Sequence, residues 1–549
     1  MANTAELKDL KKVKQLTSTI SQEELLKKFA ALSEITTTEK GGEVADKEES
    51  TLLSATTDTL EGKYTENGAY ARTTTGHPVL DFFAQSGALR PRTDTEIINL
   101  FMPAFFYDQT QALRALFYTR NIRGGQGERR TFRVLINYLA STHPDALAPN
   151  VQFIPKYGRF DDLYSLVDTP LEDLAFAIIS DQWNHDAAAI DASDFASVSL
   201  LGKWLKSENA SSSDTKRLAR LTYKKLNLSP REYRQSLTTF RSVINILEKA
   251  MSNNTWDTID YEKIPSLAHF KHRAAFSRHD SARYSKYLDA LQKGTKKINA
   301  STLYPYNLIE EYTNMHGGYG YFGHEANLVD RTLEAQWKAL PNFLKGDDSF
   351  LVMVDTSGSM FPHAICSSVG LGIYFAEHAR GSFANHFMTF TDNPRLVELP
   401  SGPDVTLLDK VRFVMNPKFC GYSTNLDAAF DALLSSAVRN SVPAADMPRA
   451  IVAISDMEID DATREKEEKA LTFTERMKKK FEEAGYNMPT LVYWNVEARQ
   501  DTFHATLNDN VVFVSGQSPS IFKALCENVD GFSPVAVMER VLGEYEEIK

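Results

Sequence analysis

The stretch SFLVMVDTSGSMFPHAICSSVGLGIYFAEHA, Ser349 to Ala379, constrains what this chain can fold into more than any other. Phe350 to Val354 is a short apolar run that reads as a buried strand. Ala364 to Ala379 is small, apolar and free of proline, long enough for about four helical turns. Asp355, Ser357 and Ser359 therefore fall on the loop from strand to helix, where Gly358 allows a tight backbone path. In an open parallel α/β sheet, ligands bind at that edge. A carboxylate and two hydroxyls at alternating positions offer three hard oxygens, which suit Mg²⁺, Mn²⁺ or Ca²⁺ rather than zinc. The competing reading is a helix cap, since Asp and Ser are the usual N-cap residues.

Two later segments bear on that choice. Tyr422 to Phe430 reads YSTNLDAAF, a hydroxyl-bearing loop opening a small-residue helix, and Arg449 to Asp456 reads RAIVAISD, a second buried strand ending in a carboxylate. DxSxS, then Thr, then Asp, in this order and at these places, resembles the metal-ion-dependent adhesion site of von Willebrand factor A domains, over roughly residues 345 to 549. The resemblance implies a metal set of Asp355, Ser357, Ser359, Thr424 and Asp456, some direct and some through water. It also implies an open position on the ion for a partner's oxygen, often a carboxylate. Glu458 lies close to Asp456, but the resemblance fixes no role for it.

At 549 residues the chain exceeds the roughly 250 to 300 residues of a single core, so at least two domains are expected. No apolar run reaches the roughly 18 to 20 residues that span a bilayer, and the start MANTAELKDLKKVKQ lacks the apolar core of a signal peptide. A cytoplasmic protein without membrane contact is the expectation. Cys366, Cys420 and Cys526 are too few and too scattered for a disulfide framework or a CxxC metal site.

Taken in order, Met1 to Gly76 reads as an arm, partly helical at Ser21–Ile35 and otherwise linker-like. From His77 to Leu344 helices dominate, with helical spacing over Glu96–Ala115, Arg130–Ala140, Phe240–Ala250 and Asp280–Leu291, and EANLVDRTLEAQWKALPNFL supplies one more before the boundary at about 344. Short helices joined by tight turns suggest a HEAT-like helical repeat, an α-solenoid or a ring of helix pairs. Residues 345 to 549 read as a doubly wound, Rossmann-like α/β domain, with further strands at Asn385–Phe390, Leu396–Leu399, Pro489–Trp494 and Val511–Val514 and helices at Thr463–Ala484 and Ser518–Cys526.

The charge is uneven. The whole chain carries a net charge of -11, yet between Leu201 and Ala300 20 Lys and Arg stand against 9 Asp and Glu. Such asymmetry suits a polyanionic partner, or a solvated helical surface that balances an acidic neighbour. Within KWLKSENASSSDTKRLARLTYKKL, Lys203, Lys206, Lys216, Arg217, Arg220, Lys224 and Lys225 interleave with Trp204 and Tyr223, and Lys271 and Arg273 follow in KHRAAFSRH. Cations neutralise phosphates while aromatic faces stack on bases, a pattern suited to single-stranded RNA; for Trp204 the competing reading is a core position, the commoner fate of a single Trp. Upstream, YTRNIRGGQGERR sets Arg120, Arg123, Arg129 and Arg130 around three glycines. It lacks the Lys-Ser/Thr of a P-loop, so nucleotide hydrolysis is not expected. Its arginines suit phosphate oxygens or neighbouring carboxylates.

A helical part followed by a metal-site A domain resembles the Ro (TROVE-type) proteins, whose helical ring binds noncoding and misfolded RNA. RNIRGGQGERR, KWLKSENASSS and LVYWNV are similar to an uncharacterised family of phages, bacteria and plants. The resemblance implies a Ro-like RNA-binding protein with a Mg²⁺-dependent A domain. The alternative is an adaptor whose metal captures a carboxylate on a protein partner. No Ser/His/Asp or Cys/His set is present in a form that predicts an enzyme, and a metal-dependent nuclease has little support.

Overall fold

The computed structural model describes residues 62–64, 70–244, 246–313, 329–344, 349–391, 393–421, 424–459, 473–505, 511–521 and 533–549. The helix expected at Ser21–Ile35, the linker after it and Cys526 lie outside them, as does most of the helix expected at Ser518–Cys526. Among the described residues no helix is long and apolar enough to cross a membrane.

The description opens on an antiparallel ribbon, β1 (Gly62–Tyr64) and β2 (Tyr70–Arg72). Although the sequence places these residues in the arm, Arg72 exchanges both backbone hydrogen bonds with Phe503, each at 2.9 Å. The arm's last part is thus tied to the other half of the chain. Helices then dominate: α1 (Pro78–Gln85), α2 (Asp94–Tyr107), α3 (Gln109–Arg120), α4 (Arg129–Thr142), α5 (Glu172–Asp191), α6 (Ser213–Lys225), α7 (Pro230–Val243), α8 (Ser266–His279), α9 (Ser281–Gln292), α10 (Pro305–Thr313) and α11 (Arg331–Lys338).

The single helix expected over Glu96–Ala115 is two. Asp108 is extended, with φ -146 and ψ 98, and its carboxylate accepts the Gln111 N–H at 2.9 Å, so it caps the start of α3 while ending α2. This is the competition that short acidic side chains offer a helix. Phe240–Ala250 is likewise broken, because the chain is extended at Ile246 between α7 and a short helix at Leu247–Ser252.

The carboxyl-terminal half is a six-stranded mixed sheet in the order β5-β4-β3-β6-β7-β8, compatible with a Rossmann-like domain. Its strands are β3 (Phe350–Asp355), β4 (His386–Phe390), β5 (Leu396–Glu398), β6 (Ala450–Ser455), β7 (Thr490–Asn495) and β8 (Val511–Ser515). Within this sheet the β4–β5 pair is antiparallel and the other described pairs are parallel. Every residue of β3, β6 and β7 is buried, which explains their unbroken apolar sequences. With them come α12 (Ala364–His378), α13 (Leu407–Val414), α14 (Leu426–Arg439), α15 (Phe473–Glu483) and α16 (Pro534–Gly543).

The halves share one apolar core that runs from Val79 to Ile548. Helix α1 packs on β8 and α10 on α12. At the first of these contacts the Gly87 N–H donates to Ser515 Oγ at 3.0 Å. Gly516 follows with φ +90, and a Cβ there would stand 3.0 Å from the Gly87 Cα, so both the backbone angle and the close approach require glycine. Helix α16, assigned by sequence to the A domain, packs on α1 and α3 as well as β8. The final residue is clamped to the helical half, since Asn150 Nδ2 donates to the Lys549 carbonyl at 2.6 Å and Lys549 N–H to Asn150 Oδ1 at 2.9 Å.

A second, smaller core gathers Ile259, Tyr261, Ile264, Phe276, Tyr284, Tyr287 and Leu288. His269 is fully buried beside it, with Nε2 3.1 Å from Tyr284 Oη and no hydrogen bond at Nδ1 among the described residues. Burial lowers its pKa to about 4. The folded state therefore binds fewer protons than the unfolded chain between roughly pH 6.5 and 4, and stability is lost as pH falls through that window, by about 3 kcal/mol in full. Hydrogen exchange of α8 and α9 at pH 7 and pH 5 measures this. Protection is expected to fall at pH 5, and the fall to shrink in His269→Phe; equal pH slopes for both proteins would refute the assignment.

Candidate metal centre and basic clusters

Asp355 is the last residue of β3, and Asp456 is the first after β6, its parallel neighbour. The chain leaves β3 for β4 on one side and later reaches β6 on the other, so the two carboxylates stand at the switch point of strand order, where open α/β sheets form their crevice. Thr424 arrives two residues before α14. Asp355, Ser357, Thr424 and Asp456 are buried and Ser359 is half-buried.

The contacts fix each group. Ser455 Oγ donates to Asp355 Oδ2 at 2.6 Å and the Ser357 N–H to Asp355 Oδ1 at 2.9 Å. The Ser357 and Ser359 hydroxyls lie 3.1 Å apart. The Glu458 N–H donates to Asp456 Oδ1 at 3.3 Å, and Thr424 Oγ1 donates to the Glu458 carbonyl at 3.1 Å. Between Asp456 and Glu458, the buried Met457 has φ +65, a strained conformation for a side chain of that size. It is held by Ser455 Oγ, which accepts its N–H at 3.0 Å, and by His504 Nε2 at 2.8 Å from its carbonyl.

These residues do not cap α12. His363 occupies the N-cap position of that helix and makes no side-chain cap hydrogen bond, while Ser357 is the N-cap residue of the 3-10 turn Gly358–Met360, also without a side-chain cap bond. What remains is a charge problem. Burial raises the pKa of both carboxyls, and the Asp456 charge raises that of Asp355 further. Asp456 Oδ2 is buried and accepts no hydrogen bond among the described residues. An all-oxygen donor set with two adjacent buried carboxylates and one oxygen lacking a donor fits a hard divalent cation. Among the described residues no group of three His, Cys, Asp or Glu that could hold a metal occurs, so the set depends on its hydroxyls.

Three neighbours carry no sequence signal. Ser455 is the hydroxyl on Asp355 just described. Arg499, on the segment between β7 and β8, donates through Nη2 to the Ser359 carbonyl and places Nη1 3.9 Å from Asp456 Oδ2. Glu497 Oε2 lies 3.6 Å from Arg499 Nη2. The segment is gripped by the helical half on both sides of Arg499. The Ala498 N–H donates to the Ala88 carbonyl at 2.9 Å, Arg92 Nε donates to the Ala498 carbonyl at 2.8 Å, and Arg92 Nη2 pairs with Asp501 at 2.8 Å. Only folding brings these groups to Asp456.

The basic residues singled out by sequence do not form one surface. Arg120 is buried and held by Asp162, at 2.9 Å through Nε and 2.8 Å through Nη2, so it is not available to a ligand. Arg273 is committed to Asp330 and Glu311 at 2.8 and 2.7 Å, and Arg130 to the Arg92 carbonyl at 2.7 Å and to Asp94. Arg123 reaches the Lys156 carbonyl at 3.5 Å, while Arg129 and Lys271 are exposed. The GGQG turn between α3 and α4 is packed rather than open, since a Cβ on Gly125 would meet the Tyr118 carbonyl at 2.0 Å. On α6, Arg217 pairs with Asp214 and Asp168, and Lys225 with Glu172 and Asp173. Lys216, Arg220 and Lys224 make no ion pair among the described residues and recur every fourth position, opposite the buried Leu218, Ala219 and Thr222. Lys203 Nζ lies 5.5 Å from the centre of the Trp204 ring. Lys206 is 3.8 Å from Asp161.

The sequence of a family model described as a domain of unknown function (DUF7788) matches residues 349–541, and that of another (DUF2828) matches residues 65–182 and 201–349. They meet where the helical half gives way to β3. The Uncharacterized protein L728 of Acanthamoeba polyphaga mimivirus is 28% identical over 520 residues, covering 88% of this chain and 87% of that protein.

Proposed function

We propose that the chain is an RNA-binding protein of Ro-like architecture, in which a helical-repeat part holds RNA and a von Willebrand factor A-type domain carries a metal-ion-dependent adhesion site. The observation that carries the metal reading is the buried pair Asp355 and Asp456, with an Asp456 oxygen that accepts no hydrogen bond among the described residues. Asp355, Ser357, Ser359, Thr424 and Asp456 would hold Mg²⁺, or Mn²⁺ or Ca²⁺. Bound there, the ion supplies a Lewis-acidic position for a partner's oxygen, as in the family the motif resembles. No reaction is assigned, and the location proposed is cytoplasmic.

The RNA reading is supported by the Lys216, Arg220 and Lys224 stripe, three cations along one helix face that make no ion pair among the described residues, with Arg220 and Lys224 exposed and Lys216 half-buried. Such a stripe follows a phosphate backbone. Binding of a mixed-sequence single-stranded RNA is expected to weaken with salt, and the triple variant Lys216→Glu, Arg220→Glu, Lys224→Glu to reduce the log–log slope by about 2, at roughly 0.7 per phosphate lost. An unchanged slope would remove α6 from the RNA surface. No RNA binding, together with Mg²⁺-dependent capture of a protein that Asp355→Ala abolishes, would instead favour the adaptor reading.

A further inference from the structure

Arg120, Arg133, Arg159 and Lys206 surround only two carboxylates, Asp161 and Asp162. Asp162 is saturated, since it takes both Arg120 contacts, Arg133 Nε at 2.6 Å and the Arg159 N–H at 2.9 Å. Asp161 is overcommitted. It receives Arg159 through Nε and Nη2, both at 2.9 Å, while Arg133 Nη2 stands 2.9 Å and Lys206 Nζ 3.8 Å from its Oδ2.

The cluster is closed on one side and open on the other. Arg120 and Asp162 are 2% and 0% exposed, whereas the side chains of Arg133, Arg159 and Lys206 retain 29%, 21% and 25%. Arg133 Nη2, although 2.9 Å from Asp161 Oδ2, is buried and makes no hydrogen bond among the described residues, so a guanidinium donor of the cluster is left unspent. Burial lowers the Lys206 pKa, and against the pull of Asp161 the charges of Arg133 and Arg159 lower it further. The next carboxylate that Lys206 feels, Asp214, is already paired with Arg217 at 3.1 Å. Arg159 also stands over Trp204, its Cζ 3.9 Å from the ring centre, which limits how far the guanidinium can swing away.

We propose that Arg133, Arg159 and Lys206 form a site for a phosphate group, seated against the open side of Asp161. Two excess positive charges match a phosphate dianion, and guanidinium forks match its oxygens in a way that a single carboxylate or chloride cannot. The site deepens the RNA reading and rests on it only for the source of the phosphate, which is either an RNA end or a free small phosphate. Of its members only Lys206 stands out in the sequence. Arg133 and Arg159 are brought beside it by folding.

Equilibrium dialysis with radiolabelled inorganic phosphate at constant ionic strength tests the site. Saturable binding is expected, weakened about tenfold by Arg159→Gln and by Lys206→Met, as for loss of a charged hydrogen-bonding partner. Asp161→Asn is expected to tighten it, because the internal competitor is gone; a merely misfolded variant would not show this gain. Quenching or enhancement of tryptophan emission that disappears in Trp204→Phe places the anion beside Arg159. Tighter binding of a 5′-phosphorylated RNA than of its 5′-hydroxyl form would identify an RNA end as the source. Equal binding of the two RNAs, with phosphate binding intact, would uphold the site for a small phosphate and count against its use by RNA. Absence of saturable phosphate binding in the parent protein overturns the proposal.

Discussion

Asp162→Ala is expected to destabilise the protein by about 3 to 5 kcal/mol, the loss associated with leaving a buried charge without its partner. Arg120 is 2% exposed and both of its contacts go to Asp162. Arg133 Nε and the Arg159 N–H would lose the same acceptor. Burial already pulls the Arg120 pKa down despite that carboxylate, so its removal leaves a cation with nothing to offset desolvation. Since domains are stable by only about 5 to 15 kcal/mol, the variant should unfold at markedly lower urea concentration. Adding Arg120→Met should recover part of the loss, because the stranded charge is then gone. A loss below about 1 kcal/mol would mean that the pair is not a structural unit.

At the sheet edge the sign reverses. Asp456→Asn is expected to stabilise the metal-free protein by on the order of 1 to 2 kcal/mol, because one of two adjacent buried carboxylates no longer needs to be charged. The same change is expected to remove the response to Mg²⁺, which in the parent should add about 2.7 kcal/mol when free metal stands at a hundred times its Kd. Thermal melts with Mg²⁺ and with EDTA read both effects. Arg499→Gln tests the neighbouring cation. With Nη1 3.9 Å from Asp456 Oδ2, Arg499 partly neutralises the site, so its loss should lower metal-free stability and enlarge the Mg²⁺ response. An identical Mg²⁺ shift in the parent and in Asp456→Asn would end the metal reading.

The sheet was largely legible before folding because its buried strands are short, continuous apolar runs closed by polar residues. The expected Asn385–Phe390, Leu396–Leu399, Pro489–Trp494 and Val511–Val514 differ from the observed strands by about a residue at an end. Helix boundaries were less legible wherever a side chain competes with the backbone. Asp108 splits one apolar-periodic run into two helices through a single hydrogen bond, and periodicity does not register such a cap.

The sequence by itself determined where Asp355, Ser357, Ser359, Thr424 and Asp456 would stand, because each follows a strand or opens a helix and strand ends are set by local pattern. It could not determine which charges remain free. Arg120 looks like its neighbours in RNIRGGQGERR, yet Asp162 claims it, while Lys216, Arg220 and Lys224 make no ion pair among the described residues because α6 buries its opposite face. Nor could it bring Arg499 to Asp456, or Arg133 and Arg159 to Lys206. Ion pairs act through space over a few ångströms and carry no periodic trace along the chain, so only the tertiary structure decided which of these groups are joined and which are left to meet a ligand.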